Sequence, residues 1–434
     1  MACGFRAEAR RGTVVNAKQQ ISSAVITAAV LAVIALVSWW YHWAHPLAGR
    51  SPGSGDVSVS VTSPDDLGPG SLREALFIAA SARGNASVLL VTRKVTLKTA
   101  LPPLMNPHGL RLVAQPPGAE IDAHALAGGA VLDVVGPNTS IEGVAVRHCP
   151  GAAVLLRAAH FHLRASTVES CEVGVEVAAN AQDILLEDNR FANDRIGVRF
   201  GALSGNTAVV RNTFSHAAAA GLWAVSAEAG TPGGSDAIQV RDNHFTADHA
   251  GVVAGNIPIV IEHNEFTGNA PEAAVHLIGG GAAIRRNHIG GPAALGIVAE
   301  YARGALIEGN ELDGLSSYAL MLRSSAGATV QANRVAGCAS GFAFVLGDPE
   351  HPTKAIGNTI TDPRLNAIDV IGDSPILTDN QVVRPHALAL RVMDYAQPGG
   401  QSVAAHPALQ GNNFRANTVG TIPVEPTTAA VGRP

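Results

Sequence analysis

The sequence predicts an all-β fold: a right-handed parallel β-helix solenoid with an N-terminal capping helix, preceded by one transmembrane helix. Three observations carry this. Asparagine recurs at a step of 23 residues from 189 to 212 and from 264 through 333, short stretches of strict apolar alternation follow each asparagine, and one long uncharged apolar run stands near the N-terminus. A step of this size fits one coil of three short strands and three turns, and a sustained period is the mark of a stacked repeat.

Composition agrees. Hydrophobic residues make up 47% of the 434-residue chain and glycine reaches 46, yet aromatics are only 4%. Small and β-branched residues with frequent glycine suit short strands and tight turns better than a helical core. The net charge of −5 and the lack of a dense basic stripe give no reason to expect a nucleic-acid partner. Four cysteines in a chain this long do not make a disulfide scaffold.

From Ile21 to Val37 every residue is apolar, Ser or Thr, and Trp39, Trp40, Tyr41 and Trp43 follow as an interfacial belt. Arg6, Arg10, Arg11 and Lys18 precede the run against Glu8 alone, which places residues 1–20 in the cytoplasm and residues 21–43 across a bacterial inner membrane. A cleavable signal peptide is the rival reading. Residues 44–56, rich in Pro and Gly, read as a linker, 57–420 as the β-helix in the periplasm, and 421–434 as a disordered tail.

The repeat can be phased. Asn with an apolar residue two places later occurs at Asn189, Asn212, Asn243, Asn264, Asn287, Asn310, Asn333, Asn358, Asn380 and Asn417. Asn tolerates left-handed backbone, and its amide can bond the Asn of the next coil as a ladder. About nine residues later come alternating pairs such as Val198/Phe200, Leu222/Ala224, Val275/Leu277 and Phe342/Phe344, the pattern of a strand with one buried face. The open end of a solenoid needs a cover. Ser71-Leu-Arg-Glu74 is a capping-box signature, with Leu72, Ala75, Leu76, Ala79 and Ala80 on one helical face, so a helix of about a dozen residues is expected there.

The Gly-Pro-Gly-Ser-Leu-Arg-Glu-Ala-Leu stretch at 68–76, Gly118-Ala-Glu-Ile-Asp122 and the Asn-x-apolar coils resemble the pectate-lyase-like β-helix superfamily over roughly residues 56–420. That superfamily includes polysaccharide lyases, mannuronan C5-epimerases and periplasmic nitrous-oxide-reductase maturation proteins. The resemblance is specific for fold and weak for function. It implies a glycan groove over the strand that follows the Asn turn's short strand. The outward column there reads Leu155, Glu176, Arg199, Trp223, Val253, His276, Val298, Met321, Ala343, Asp369 and Ala389, with Glu300, Arg323 and Arg391 two residues further along.

Two clusters result, since coils stack about 4.8 Å apart. Glu176, Arg199 and Trp223 form a candidate substrate-binding set, with Trp223 stacking on a sugar ring. His276, Glu300 and Arg323, with Tyr301 and Tyr318 close by at strand ends, form a candidate catalytic set. Abstraction of the C5 proton of a uronic acid needs a base, a cation against the sugar carboxylate and a proton donor; His276, Arg323 and Tyr318 fit those roles in order. The plainer reading is that Arg and Glu on adjacent coils are solvated ion pairs of small value.

Alginate epimerases that this fold resembles carry Asp-Pro-His-Asp on the groove; the nearest string here, Asp348-Pro349-Glu350-His351, differs in order and falls in a turn. Carboxylates lie too far apart for a calcium site, so no metal or other cofactor is expected. Two enlarged coils place loops at Ala227–Ser235 and Tyr395–Pro407, either groove walls or tolerated insertions. Cys149 and Cys171 sit on adjacent coils, as a disulfide or as two small buried residues stacked together.

Two functional readings follow. One is a membrane-tethered lyase or C5-epimerase acting on an acidic polysaccharide in envelope or exopolysaccharide biosynthesis. The other is a non-catalytic glycan-binding or scaffold protein of an exopolysaccharide synthesis or export complex.

Overall fold

The structure is a computed structural model that describes residues 55–179, 181–201, 205–226, 237–268, 272–397, 400–414 and 419–421. The expected membrane span at 21–43, its flanks, the loop at 227–235 and the tail after 421 lie outside the described residues. Among those described, no helix is long and apolar enough to cross a membrane.

Each coil visits three sheets in turn. The coil around Asn189 runs Ile184–Glu187 in sheet A, Arg190–Ala192 in sheet B and Ile196–Phe200 in sheet C, then returns to sheet A at Thr207–Val210. Stacking gives parallel sheets of 15, 14 and 13 strands, wound as a right-handed solenoid. Register follows the sequence period: Ile184 pairs with Thr207, Phe191 with Phe214 and Val198 with Leu222. The lead-in segments join the same stack, with Ala86–Leu90 pairing both Val57–Val61 and Leu110–Ala114.

The cap is a helix over Leu72–Ala80, shorter than expected because it stops at Ser81 rather than continuing to Gly84. Ser71 Oγ accepts from the Glu74 N–H, and Glu74 reaches back to the Gly70 N–H at 2.6 Å. Leu72, Ala75, Leu76 and Ala79 are buried against the first coils, whereas Ala80 is only half-buried.

The asparagine ladder is continuous and buried. Each Oδ1 accepts from the backbone N–H and the Nδ2 of the preceding Asn, and each Nδ2 also donates to a carbonyl one coil back, as Asn310 does to Ile284 at 2.9 Å. Two expectations are corrected. The left-handed residue is not the Asn but the one before it: Asp188, Arg211, Asp242, His263, Arg286 and Asp379 all have φ between 53° and 57° or close below. The Asn side chain is thereby freed to point inward along the stack. The ladder also ends on Asn412, not Asn417: Asn380 N–H donates to Asn412 Oδ1 at 2.9 Å, and Val382 pairs with Phe414. Asn412-Asn413-Phe414 satisfies the same Asn-x-apolar pattern, and Asn417 lies outside the described residues. The long loop before it holds a small antiparallel pair, Tyr395–Ala396 with Ser402–Val403.

The core holds a feature the period did not announce. Phe191, Phe214, Phe245 and Phe266 stack with centroids 5.0, 4.7 and 4.7 Å apart. Such pairs add about 0.5–1.5 kcal/mol each beyond their burial. Opposite them, Gly174, Gly197, Gly221 and Gly251 start the sheet C strands, and a Cβ at any of them would lie 2.6–2.8 Å from a phenylalanine ring carbon. Backbone carbonyls of the next coil come as close or closer at Gly174, Gly197 and Gly251, so the glycines answer to the close approach of the coils as well as to the rings. Cys149 and Cys171 form a disulfide between adjacent coils, with Cα atoms 4.3 Å apart. Cys338 is buried and free, and burial pushes its thiol up to about 11.

Candidate functional site

The three outer faces differ. Sheets A and B carry ladders of opposite charge from coil to coil: Arg164, Glu187 and Arg211 on or beside sheet A, and Lys94 with Glu120, Arg147 with Glu169 and His244 with Glu265 on sheet B. Exposed pairs of this kind contribute about 0–1 kcal/mol each and keep the face wet. Sheet C breaks the pattern. Its outward positions include Trp223, Val253, Ile278, Val298 and Met321, interrupted by a few charged groups.

The expected catalytic patch is present in part. His276 is largely covered, with 16% of its side chain exposed; its Nε2 lies 3.4 Å from Glu300 Oε2. Glu300 pairs in register with Arg323, and the Arg323 Nη1 is 3.7 Å from Glu300 Oε1. The patch is extended by a residue the sequence reading missed. Glu272, in the turn before the His276 strand, has Oε1 3.2 Å from His276 Nδ1 and Oε2 3.3 Å from His249 Nε2. Ionised carboxylates only accept, so Glu272 and Glu300 each call for a proton on the ring nitrogen they face, and together they hold the imidazole in one orientation. Arg323 Nε is buried without a hydrogen-bond partner. Glu300 therefore ties a histidine and a half-exposed arginine into one cluster that Glu272 extends.

Tyr318 does not belong to this patch. Its hydroxyl donates to Asp369 Oδ2 at 2.6 Å, reaching past the coil of Ser340 and Ala343. Asp369 is also gripped by Arg391 through Nε at 2.7 Å and Nη2 at 2.8 Å, and by Asn366 Nδ2 at 3.1 Å. Burial, with the Asp369 hydrogen bond, pushes the Tyr318 phenol up to about 12. A phenol held that way is a poor proton donor to a ligand. The column is corrected at its end as well: Arg391, not Ala389, stands in register with Asp369, and Ala389 is fully buried.

The other cluster forms as expected. Arg199 Nη2 donates to Glu176 Oε1 at 2.6 Å, both about one-third exposed. Trp223 is next in the column, half-buried against Ala220, Ala250 and Val253. Val253, Val298, Ala343 and Asp369 point outward too, but neighbouring side chains cover them. Asp348 and His351 close on each other at 3.1 Å in an exposed turn.

Two family models match the sequence: residues 231–383 fit the one described as right handed beta helix region, and 128–276 fit that of the periplasmic copper-binding protein NosD. Over these residues the chain resembles right-handed β-helix sequences, and its fold is the right-handed parallel β-helix. Among the described residues no group of three or more His, Cys, Asp or Glu side chains is arranged to hold a metal ion, so the donor set does not fit copper. No curated protein sequence matches the chain. Among solved structures, a PL6 alginate lyase in complex with a trisaccharide is similar at 9% identity, covering 87% of this chain and 97% of its own, with a TM-score of 0.53. The DFA-IIIase of Arthrobacter chlorophenolicus A6 without its lid is similar at 12% identity, covering 71% and 95%, with a TM-score of 0.53. A tailspike protein variant of E. coli bacteriophage HK620 in complex with a pentasaccharide gives 12%, 82% and 79%, with a TM-score of 0.52. At such identities the likeness is one of fold.

Proposed function

We propose that this β-helix acts on an acidic polysaccharide laid along sheet C, as a lyase or C5-epimerase, while residues 21–43 tether it to the periplasmic side of an inner membrane. The observation that carries the reading is the cluster in which Glu300 bridges His276 and Arg323, with Glu272 on the other ring nitrogen, on the one face that lacks a continuous ion ladder. The saccharides bound by the alginate lyase and the tailspike support a sugar ligand on this fold. The Cys149–Cys171 disulfide supports an oxidising compartment.

In this reading Arg323 opposes the carboxylate of a uronic acid, and His276 Nε2 takes the C5 proton. The electron pair moves into the carboxylate, where Arg323 stabilises it. From there either the C4–O bond breaks, giving an unsaturated sugar while the leaving oxygen takes the proton that His276 holds, or water on the opposite face delivers a proton to C5 and the His276 proton passes to solvent. Wild-type protein incubated with uronate polymers is expected to yield unsaturated product or a changed monomer ratio. His276→Ala should abolish turnover with little effect on binding, because a base acts mainly in the transition state. Arg323→Ala should weaken binding about tenfold, most visibly at low salt. Binding without any turnover would leave the protein a glycan-holding scaffold of an export or synthesis complex. Unchanged binding in Arg323→Ala would remove this patch as the site.

The tether has its own test. A phosphatase reporter fused after Pro434 should be active outside the cytoplasm, given the positive charge that precedes the apolar run. A well-expressed but inactive fusion would reverse the orientation.

A further inference from the structure

Tyr301 directly follows Glu300 at the end of its sheet C strand and sits in the left-handed region, with φ 56°. The same turn position on the adjacent coils is held by Gly279 and Ser324, and on the coils beyond by Asn256 and Leu346. Gly and Asn take this conformation readily, and short Ser is small. A bulky aromatic side chain there is strained. Leu346 is half-buried, so packing offsets its strain. Tyr301 is 59% exposed, and nothing comparable offsets its own.

The surroundings suggest what does. Gly279 and Ser324 flank the ring with almost no side chain, leaving room beside it along the solenoid axis. The Tyr301 N–H donates to the Arg323 carbonyl at 2.9 Å, so its backbone abuts the coil that carries Arg323, one residue after Glu300 of the patch. Arg323, in register with Glu300 on the next coil, keeps 44% of its side chain exposed and so offers a cation to a ligand there. An aromatic ring with an apolar face and a polar edge suits the C–H face of a pyranose.

We infer that Tyr301 is a sugar-stacking platform, on which an acidic pyranose lies while its carboxylate meets Arg323. The inference rests on sheet C being the glycan face. It adds a specificity element: the sugar next to the base must carry both a flat C–H face and a carboxylate. It also accounts for a strained residue being kept where glycine would be easier.

The test uses the soluble β-helix with its native disulfide, a uronate hexasaccharide as ligand, and two readouts, calorimetric affinity and thermal melting. Tyr301→Gly should lower affinity about tenfold and leave the melting temperature equal or higher, since strain is relieved. Tyr301→Phe should bind within about twofold of wild type, because the ring remains. Full affinity in Tyr301→Gly would overturn the platform and leave the glycan face standing. A lower melting temperature in Tyr301→Gly would overturn it too, by making the ring a structural contact. If the wild-type protein binds no uronate, the glycan face fails, and the platform with it.

Discussion

Asn310→Ala is expected to destabilise the solenoid by about 2–4 kcal/mol, a large share of the stability of any domain. Asn310 is fully buried, so water cannot take its place. Its Oδ1 accepts from the Asn287 N–H at 3.0 Å and from Asn287 Nδ2 at 2.9 Å, and its Nδ2 donates to the Ile284 carbonyl at 2.9 Å. Alanine strands the Asn287 N–H and deprives Ile284 of a donor. Each buried group left without a partner costs about 1–3 kcal/mol. Serine should recover part of the loss, because Ser166 already fills the first rung with its Oγ accepting from the Val144 N–H at 3.2 Å. Denaturant midpoints for the two variants, with hydrogen exchange at the Asn287 amide, check the order wild type, Ser, Ala. A midpoint for the Ala variant within error of wild type would mean the ladder is ornament.

The period of 23 made the three-sheet solenoid legible because each coil must repeat the same inward set to stack. Alternation then told inward from outward, and Glu176, Arg199, Trp223, His276, Glu300 and Arg323 all fall on the predicted face. What the period could not carry was anything that breaks it. Glu272 lies in a turn, outside the alternating strand, and its value comes from reaching two histidines at once. Tyr318 is long enough to bypass one coil and bond Asp369, whereas neighbour-by-neighbour reasoning placed it with His276. Arg391 pairs with Asp369 because the inward pair of that strand is Leu390 and Val392, two residues on from a reading that puts Leu388 and Leu390 inward. The glycines of sheet C read as turn residues, yet a Cβ there would meet both the side chains of sheet B and the backbone of the next coil.

The second large effect concerns pH. Asp194 and Asp248 are almost wholly buried, two coils apart in the turn between sheets B and C. Asp194 Oδ1 accepts from the Cys171 N–H and Asp248 Oδ1 from the Ala217 N–H, each at 2.8 Å. Burial pushes both carboxyls up to about 7; for Asp194, Glu169 and Asp248 add repulsion. In the unfolded chain an aspartate loses its proton near pH 4. Between about pH 4 and 7 the folded protein thus holds more protons than the unfolded one, and stability must fall as pH rises through that window. Below it both aspartates are neutral in either state and the contribution is complete. Glu187, held down to about 2 by His162 and Arg211, acts oppositely, but its contribution is lost only as pH falls below the ordinary carboxylate range. The two windows do not overlap. Each buried aspartate is worth at most about 1.4 kcal/mol per pH unit within its window, so the wild-type denaturation midpoint should decline from pH 4.5 to 7.5, values set by the roughly pH 4–7 window. Asp194→Asn with Asp248→Asn keeps both oxygen acceptors and removes the charge. That double variant should flatten the decline and be the more stable protein at pH 7.5. Equal slopes for the two proteins would mean that these carboxyls are already ionised in the fold, and that water or a rearranged turn solvates them.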